Sequence, residues 1–315
     1  MKLFDLHCDT IAKIVDGKAH FDDESQLHVH LKGLESSKAA AQVFASFVPG
    51  YHKTPDEVFE KCNTYISAIK SLADEYPGQL ALAETADQLS QVIKQGGKTA
   101  VIISIEGGAP LNGNPDLLKH FFDRGVRLLT IAWDDNEFCG TVFGNNGGLT
   151  SKGKELIDHC RGLGVAVDLS HASDQAFRDI ASHMDTPFAA SHSNARAICP
   201  NDRNLTDEMI KTIADRGGII GLTYGSGFVS TAYFKHEKAN REKILSGLRD
   251  GSITISDAHR ISHEALSHLK RARLDDLVRH AVHILDKGGE ECLGLGSGFD
   301  GVDSLVESVD GLADV

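Results

Sequence analysis

The sequence predicts a closed (β/α)8 barrel of the TIM type. Three observations predict it. Eight short apolar runs recur along the chain, and most do not alternate apolar with polar residues, which is the pattern of parallel strands buried on both faces. Helical patterns lie between them. Several of those helices end in glycine just before the next run, and a repeated strand, helix, glycine, strand order builds a parallel sheet that eight strands can close.

Taken in order, the runs are Leu3–Leu6, Gln42–Val48, Thr99–Ile105, Val126–Ile131, Gly164–Leu169, Pro187–Ala190, Gly218–Thr223 and Cys292–Leu295. Between the second and third lies "PDEVFEKCNTYISAIKSLADEY", where Pro55 suits the first turn of a helix. "NPDLLKHFFDRG" precedes the fourth run, with Gly125 where a C-terminal cap belongs. "GKELIDHCRGLG" and "TDEMIKTIADRGG" repeat that form. The longest connection, Gly225–Glu291, is charged and contains "HRISHEALSHLKRARLDDLVRHAVHILDK", which predicts a helical insertion between strands seven and eight. Only Ser297–Val315 follow the eighth run, so the C-terminus is expected to be short or truncated. Without a convincing linker, residues 1–315 read as one catalytic domain.

Composition narrows the class. The chain has 315 residues, 41% hydrophobic and 24% charged, enough to bury a large core. A formal net charge of -13 without a basic run argues against nucleic acid and anionic membrane surfaces as partners. The six cysteines show no CxxC spacing and read as reduced thiols of a cytoplasmic protein. Met1 to Thr10 holds no apolar leader, and no run approaches the ~18 apolar residues of a membrane span.

In a barrel of this kind the chemistry sits at the C-terminal ends of the strands. That rule selects His7 and Asp9, Glu106, the Trp133–Asn136 stretch, His171, His192, Tyr224 and Asp300. His7 and Asp9 are two apart, so on a strand they share a face while Cys8 points away. Taken alone, each histidine is more often a satisfied core or rim residue. Glu106 ends an apolar run, where a carboxylate is costly unless paired or bound to metal. Together these residues fit a two-metal site of mixed nitrogen and oxygen ligands, which suits Zn²⁺ best, with other divalent ions open. Two Zn²⁺ per chain are expected, with Glu106 bridging a His7/Asp9 pair and a His171/His192 pair. The metals would acidify a bridging water to hydroxide for attack on an amide carbonyl, with Asp300 passing the proton to the leaving amine.

Three other motifs read as decoys. "HVH" (His28, His30) has ligand spacing but falls outside the strand-end set, and is assigned to surface or loop. In "HEALSH" the histidines, His263 and His268, are five apart rather than four, so they do not make a zincin pair. "GSGFDG" matches GxGxxG, but no periodic helix follows it.

The motifs "DLHCDT", "IEGG", "VDLSH", "SHSNAR", "NDRNLTD" and "LGSGFDG" resemble the membrane (renal) dipeptidases and their bacterial relatives over residues 1–304. The resemblance implies dinuclear zinc peptidases on a (β/α)8 barrel. It implies that His7 and Asp9 hold one metal, that His171 and His192 hold the other, and that Glu106 bridges. It further implies that Arg203 holds the substrate carboxylate, as a guanidinium fork can, and that Asp300 is the acid/base. Trp133, Asn136 and Tyr224 are the remaining substrate-binding candidates. The sequence departs from the family at three places. Trp133 stands where many members have histidine, Gly298 stands where an aspartate is common, and family chains usually run some tens of residues past this point.

The expected activity is hydrolysis of small free dipeptides, including those with a C-terminal D-residue, with no nucleic-acid or membrane partner. A homodimer is left open. Two rivals stand beside it: another amide hydrolase or deaminase on the same barrel, and a metal-binding remnant that has lost turnover.

Overall fold

A computed structural model describes residues 2–51 and 53–315. Its strands are β1 (Leu3–Cys8), β2 (Ala39–Phe47), β3 (Leu80–Leu82), β4 (Thr99–Glu106), β5 (Val126–Thr130), β6 (Ala166–Asp168), β7 (Ala189–Ala190), β8 (Ile219–Leu222) and β9 (Leu293–Leu295). All pair in parallel. The order β2-β1-β9-β8-β7-β6-β5-β4 closes through a β2–β4 ladder, so eight strands form the barrel. The eight predicted runs all become barrel strands. β3 is the addition: three residues that pair with the first residues of β4, below the point where β5 takes over that edge.

The strand interiors are buried without alternation, β4 along its whole length. This is what a strand with the barrel lumen on one side and helices on the other requires. Closure also requires backbones to meet inside the barrel. A Cβ on Gly221 or on Gly296 would overlap the Ser191 carbonyl oxygen, so only glycine lets β8 and the β9 exit approach the end of β7. All six cysteines are buried free thiols.

The helices begin and end where their local chemistry dictates. Thr54 and Glu57 form a capping box at the start of Pro55–Glu75. Gly125, Gly164 and Gly217 adopt the left-handed conformation after Leu117–Asp123, Ser151–Leu163 and Asp207–Asp215. The segment between β8 and β9 is helical as predicted, with helices Ser226–Val229, Thr231–Asp250, Ile255–Leu266 and Leu274–Gly288. Its "HEALSH" motif does not stay on one helix: His268 lies beyond Leu266, and the side chain of His263 is outside the described residues. The short tail folds back on the barrel, burying Leu305, Val306, Val309 and Leu312, and Leu312 N–H donates to His28 O at 2.9 Å. No helix among the described residues is long and apolar enough to cross a membrane.

Candidate metal centre

Four strand exits build the site. β1 delivers His7 and, one residue past its end, Asp9, which is also the N-cap of helix Thr10–Val15. Between them Cys8 faces outward, its Sγ 3.5 Å from Val43 O. β4 ends at Glu106. The turns after β6 and β7 carry His171 and His192. His171 sits at φ +79°, a left-handed backbone that non-glycine residues rarely adopt and that functional positions often retain.

Glu106 divides its two oxygens. Oε2 lies 3.5 Å from His7 Nε2, which is itself 3.3 Å from Asp9 Oδ2. Oε1 lies 3.0 Å from His171 Nε2 and 3.6 Å from His192 Nε2. The His7 and His192 rings stack at 3.9 Å between centroids. Three imidazoles and two carboxylates thus turn their ligand atoms inward, with His7, Glu106 and His192 donor atoms all within 4.8 Å of one another. Asp9 Oδ1 is buried without a hydrogen-bond partner in the described structure. A donor set of this kind fits divalent metal, and the split of Glu106 fits one ion on each side.

The electrostatics agree. Burial, aided by the Asp9 charge, raises Glu106 to about 7 despite the opposing pull of His7. Burial opposes charge on His7, but Glu106 and Asp9 outweigh it and raise its pKa well above the usual value. Burial lowers His171 and His192 well below theirs, and the charges of Arg203 and His7 add to it. Two neutral imidazoles are ready ligands.

Sequence reasoning missed the residues that hold the ligands. Asp168, the last residue of β6, accepts from Thr130 Oγ1 and Ser191 Oγ, both at 2.6 Å, and from the Ser191 and Ser170 N–H groups. Ser191 Oγ is in turn 2.8 Å from His192 Nδ1. This chain orients His192 from behind. On the other side Asp5 ties β1 to its neighbours, accepting from Ser297 N–H and Oγ past the end of β9 and from Gln42 Nε2 on β2. An aspartate inside an apolar strand was the available signal for both.

The substrate-side candidates separate. Arg203 is 3% exposed and donates to His192 O at 3.2 Å and to Ser193 Oγ at 3.4 Å. Its Nε has no partner, and burial lowers its pKa to about 9. Asp168 and Glu106 act on its charge without an ion pair, and the unpartnered Nε leaves a donor free for an anion. Trp133 belongs to an aromatic wall: its ring lies 4.6 Å from Phe47, 5.4 Å from Phe143 and 5.9 Å from His171. Phe143, unforeseen, carries the Arg241 guanidinium of the insertion at 5.2 Å. Tyr224 packs its buried ring on Phe299 at 5.5 Å. Asn136 departs from expectation. Its Oδ1 accepts the Phe138 and Cys139 N–H groups and its Nδ2 donates to Asp134 O, so the amide holds its own loop.

Asp300 has surroundings that the sequence did not lead one to expect. Its carboxylate, expected to carry a proton at the mouth, is fully enclosed and accepts from Thr10 Oγ1 (2.6 Å), Lys13 Nζ (2.8 Å), His28 N–H (3.0 Å) and Val29 N–H (3.3 Å). "HVH" falls where expected. It lies in a loop, but His28 is only partly exposed and His30 is buried. His28 Nδ1 accepts the Asp300 N–H at 2.9 Å, and His30 Nδ1 accepts Gly33 N–H as a helix cap.

Barrel and site together define a metal-dependent hydrolase. The family model for membrane dipeptidase, peptidase family M19, matches residues 1–315, and the chain belongs to that family of metallo-dipeptidases. An uncharacterized protein of Klebsiella pneumoniae encoded in a pqqA 5′ region is 29% identical over 245 residues, covering 75% of this chain and 78% of its own. An uncharacterized dipeptidase of Schizosaccharomyces pombe is 26% identical over 90% of this chain, which spans 64% of that protein. Dipeptidase 3 of Mus musculus is 30% identical over 65% of this chain, which spans 42% of it. Among solved structures, the probable dipeptidase PvdM of Pseudomonas aeruginosa superposes with a TM-score of 0.84 at 20% identity, covering 100% of this chain and 87% of its own. A Rhodobacter sphaeroides metallopeptidase, crystallised with a phosphinate mimic of the dipeptide L-Ala-D-Ala, gives 0.82 at 21% identity, covering 100% and 90%.

Proposed function

We propose that this chain is a zinc-dependent dipeptidase that hydrolyses small free dipeptides, including those with a C-terminal D-residue. The observation that carries the reading is the division of Glu106 between His7 and Asp9 on one side and His171 and His192 on the other. These five residues would hold two Zn²⁺. When bound, the ions would supply an acidified water as nucleophile, its pKa lowered towards ~7.

The chain's own groups do the rest. Arg203 receives the free carboxylate of the substrate, which sets the scissile amide beside the metal ligands because its guanidinium touches the His192 backbone. The wall of Trp133, Phe47 and Phe143 restricts side chains and water. The D-residue preference draws support from the ligand of the Rhodobacter sphaeroides neighbour.

The test is hydrolysis of L,L- and L,D-dipeptides before and after exhaustive chelation, with C-terminally amidated dipeptides as controls. Loss on chelation, recovery with Zn²⁺ and failure on amidated substrates are expected. Full activity without metal rejects the reading. A second reading, a metal-binding remnant without turnover, is favoured by the enclosure of Asp300 together with glycine at 298. It predicts bound zinc and no hydrolysis.

A further inference from the structure

We propose that Asp300 is a positioning residue for the metal ligand Asp9, not a proton carrier. This inference rests on the dinuclear reading above.

The geometry joins the two aspartates through a single helix. Asp9 caps helix Thr10–Val15 and donates its N–H to Phe299 O at 2.9 Å, so the β1 exit is already tied to the residue before Asp300. Thr10 and Lys13, one turn apart on that helix, both end on the Asp300 carboxylate. Residue 300 holds a left-handed backbone, φ +66°, which a non-glycine residue keeps only when its surroundings over-determine it. The surroundings are the loop of His28 and Val29, which grips both the carboxylate and the N–H of Asp300. The following residue then closes on Asp9: a Cβ on Gly301 would overlap the Asp9 carboxylate. Asp9 therefore stands between its own helix and the 299–301 turn, and Asp300 is the clasp that holds the two together. With its oxygens met by four donors, the carboxylate has no free face toward a leaving group. The same arrangement explains the HVH motif, since His28 supports the clasp from behind.

Zinc titration by competition with a chromophoric chelator tests this in wild type, Asp300→Asn, Lys13→Met and Gly301→Ala. Lys13→Met and Gly301→Ala leave the Asp300 carboxyl itself in place, so they separate the two roles even where Asp300→Asn folds poorly. The expected result is about 10- to 100-fold weaker binding of one of the two ions in the variants, unchanged binding of the other, and recovery of kcat at saturating zinc. Wild-type affinity for both ions in every variant, with kcat lost in Asp300→Asn alone at full occupancy, overturns the inference and makes Asp300 the proton carrier. Wild-type protein that binds no zinc overturns the dinuclear reading with it.

Discussion

His171 and His192 present their Nε2 atoms to each other at 2.9 Å. Two imidazoles that close cannot both be charged, and burial holds both well below their usual range. His7 on the far side of Glu106 is the opposite case. In metal-free protein, nitrogen NMR at pH 6.5, the usual histidine midpoint, should find His171 and His192 neutral and His7 protonated. Zinc loading should then release the His7 proton, visible as a buffer-dependent binding enthalpy. A protonated His192 at pH 6.5 would contradict this.

Arg203→Met removes the guanidinium beside His192 that is proposed to meet the substrate carboxylate. Hydrogen bonds to charged groups are worth about 1.5–3 kcal/mol, so kcat/KM for free dipeptides should fall roughly 10- to 100-fold. Zinc content should stay at the wild-type level. Unchanged kinetics would remove Arg203 from the substrate site.

Ser191→Ala cuts the link between Asp168 and His192 Nδ1 while leaving the ligand itself in place. Zinc affinity should weaken by about 10-fold or more, with thermal stability reduced only modestly. Equal affinity in variant and wild type would show that packing alone orients His192.

Asp300 has a stability signature of its own. Burial pushes its carboxyl up, but the Lys13 ammonium, the nearby His28 and hydrogen bonds from Lys13 and Thr10 outweigh it, and the pKa ends below the usual 3.8. The unfolded chain therefore takes up this proton first. The contribution is present above about pH 4 and is lost as pH falls through the lower folded value. Melting temperature should drop more steeply from pH 5 to 3 in wild type than in Asp300→Asn. Parallel curves would show that the clasp contributes nothing electrostatic.

Gly296→Ala probes barrel closure. Its Cβ would meet the Ser191 carbonyl, which is backbone and cannot swing aside. Loss of the cooperative folding transition or a destabilisation of several kcal/mol is expected, and a fully stable variant would show that the barrel can widen there.

The five metal-ligand candidates were legible because a parallel barrel sends every strand's C-terminal end to one mouth. His7, Glu106, His171 and His192 needed only their place after an apolar run. β3 was not legible: "LAL" is three residues, one buried and two half-buried, too short for any periodicity. The loop bonds of Asn136 and the enclosure of Asp300 were not legible either, for a common reason. Position after a strand says where a residue emerges, but the loop beyond decides where its side chain turns. Lys13 and His28 meet Asp300, and Ser191 meets Asp168, across distances in sequence that no local pattern records.

The buried cysteines have a consequence for handling and for evolution. Burial raises the pKa of every one of the six thiols, Cys62, Cys139 and Cys160 to about 12. Thiolate is the species that alkylating reagents and peroxide attack. The folded chain should therefore pass through oxidising or reducing surroundings unmarked, and its sulfur content tells nothing about which of the two it inhabits.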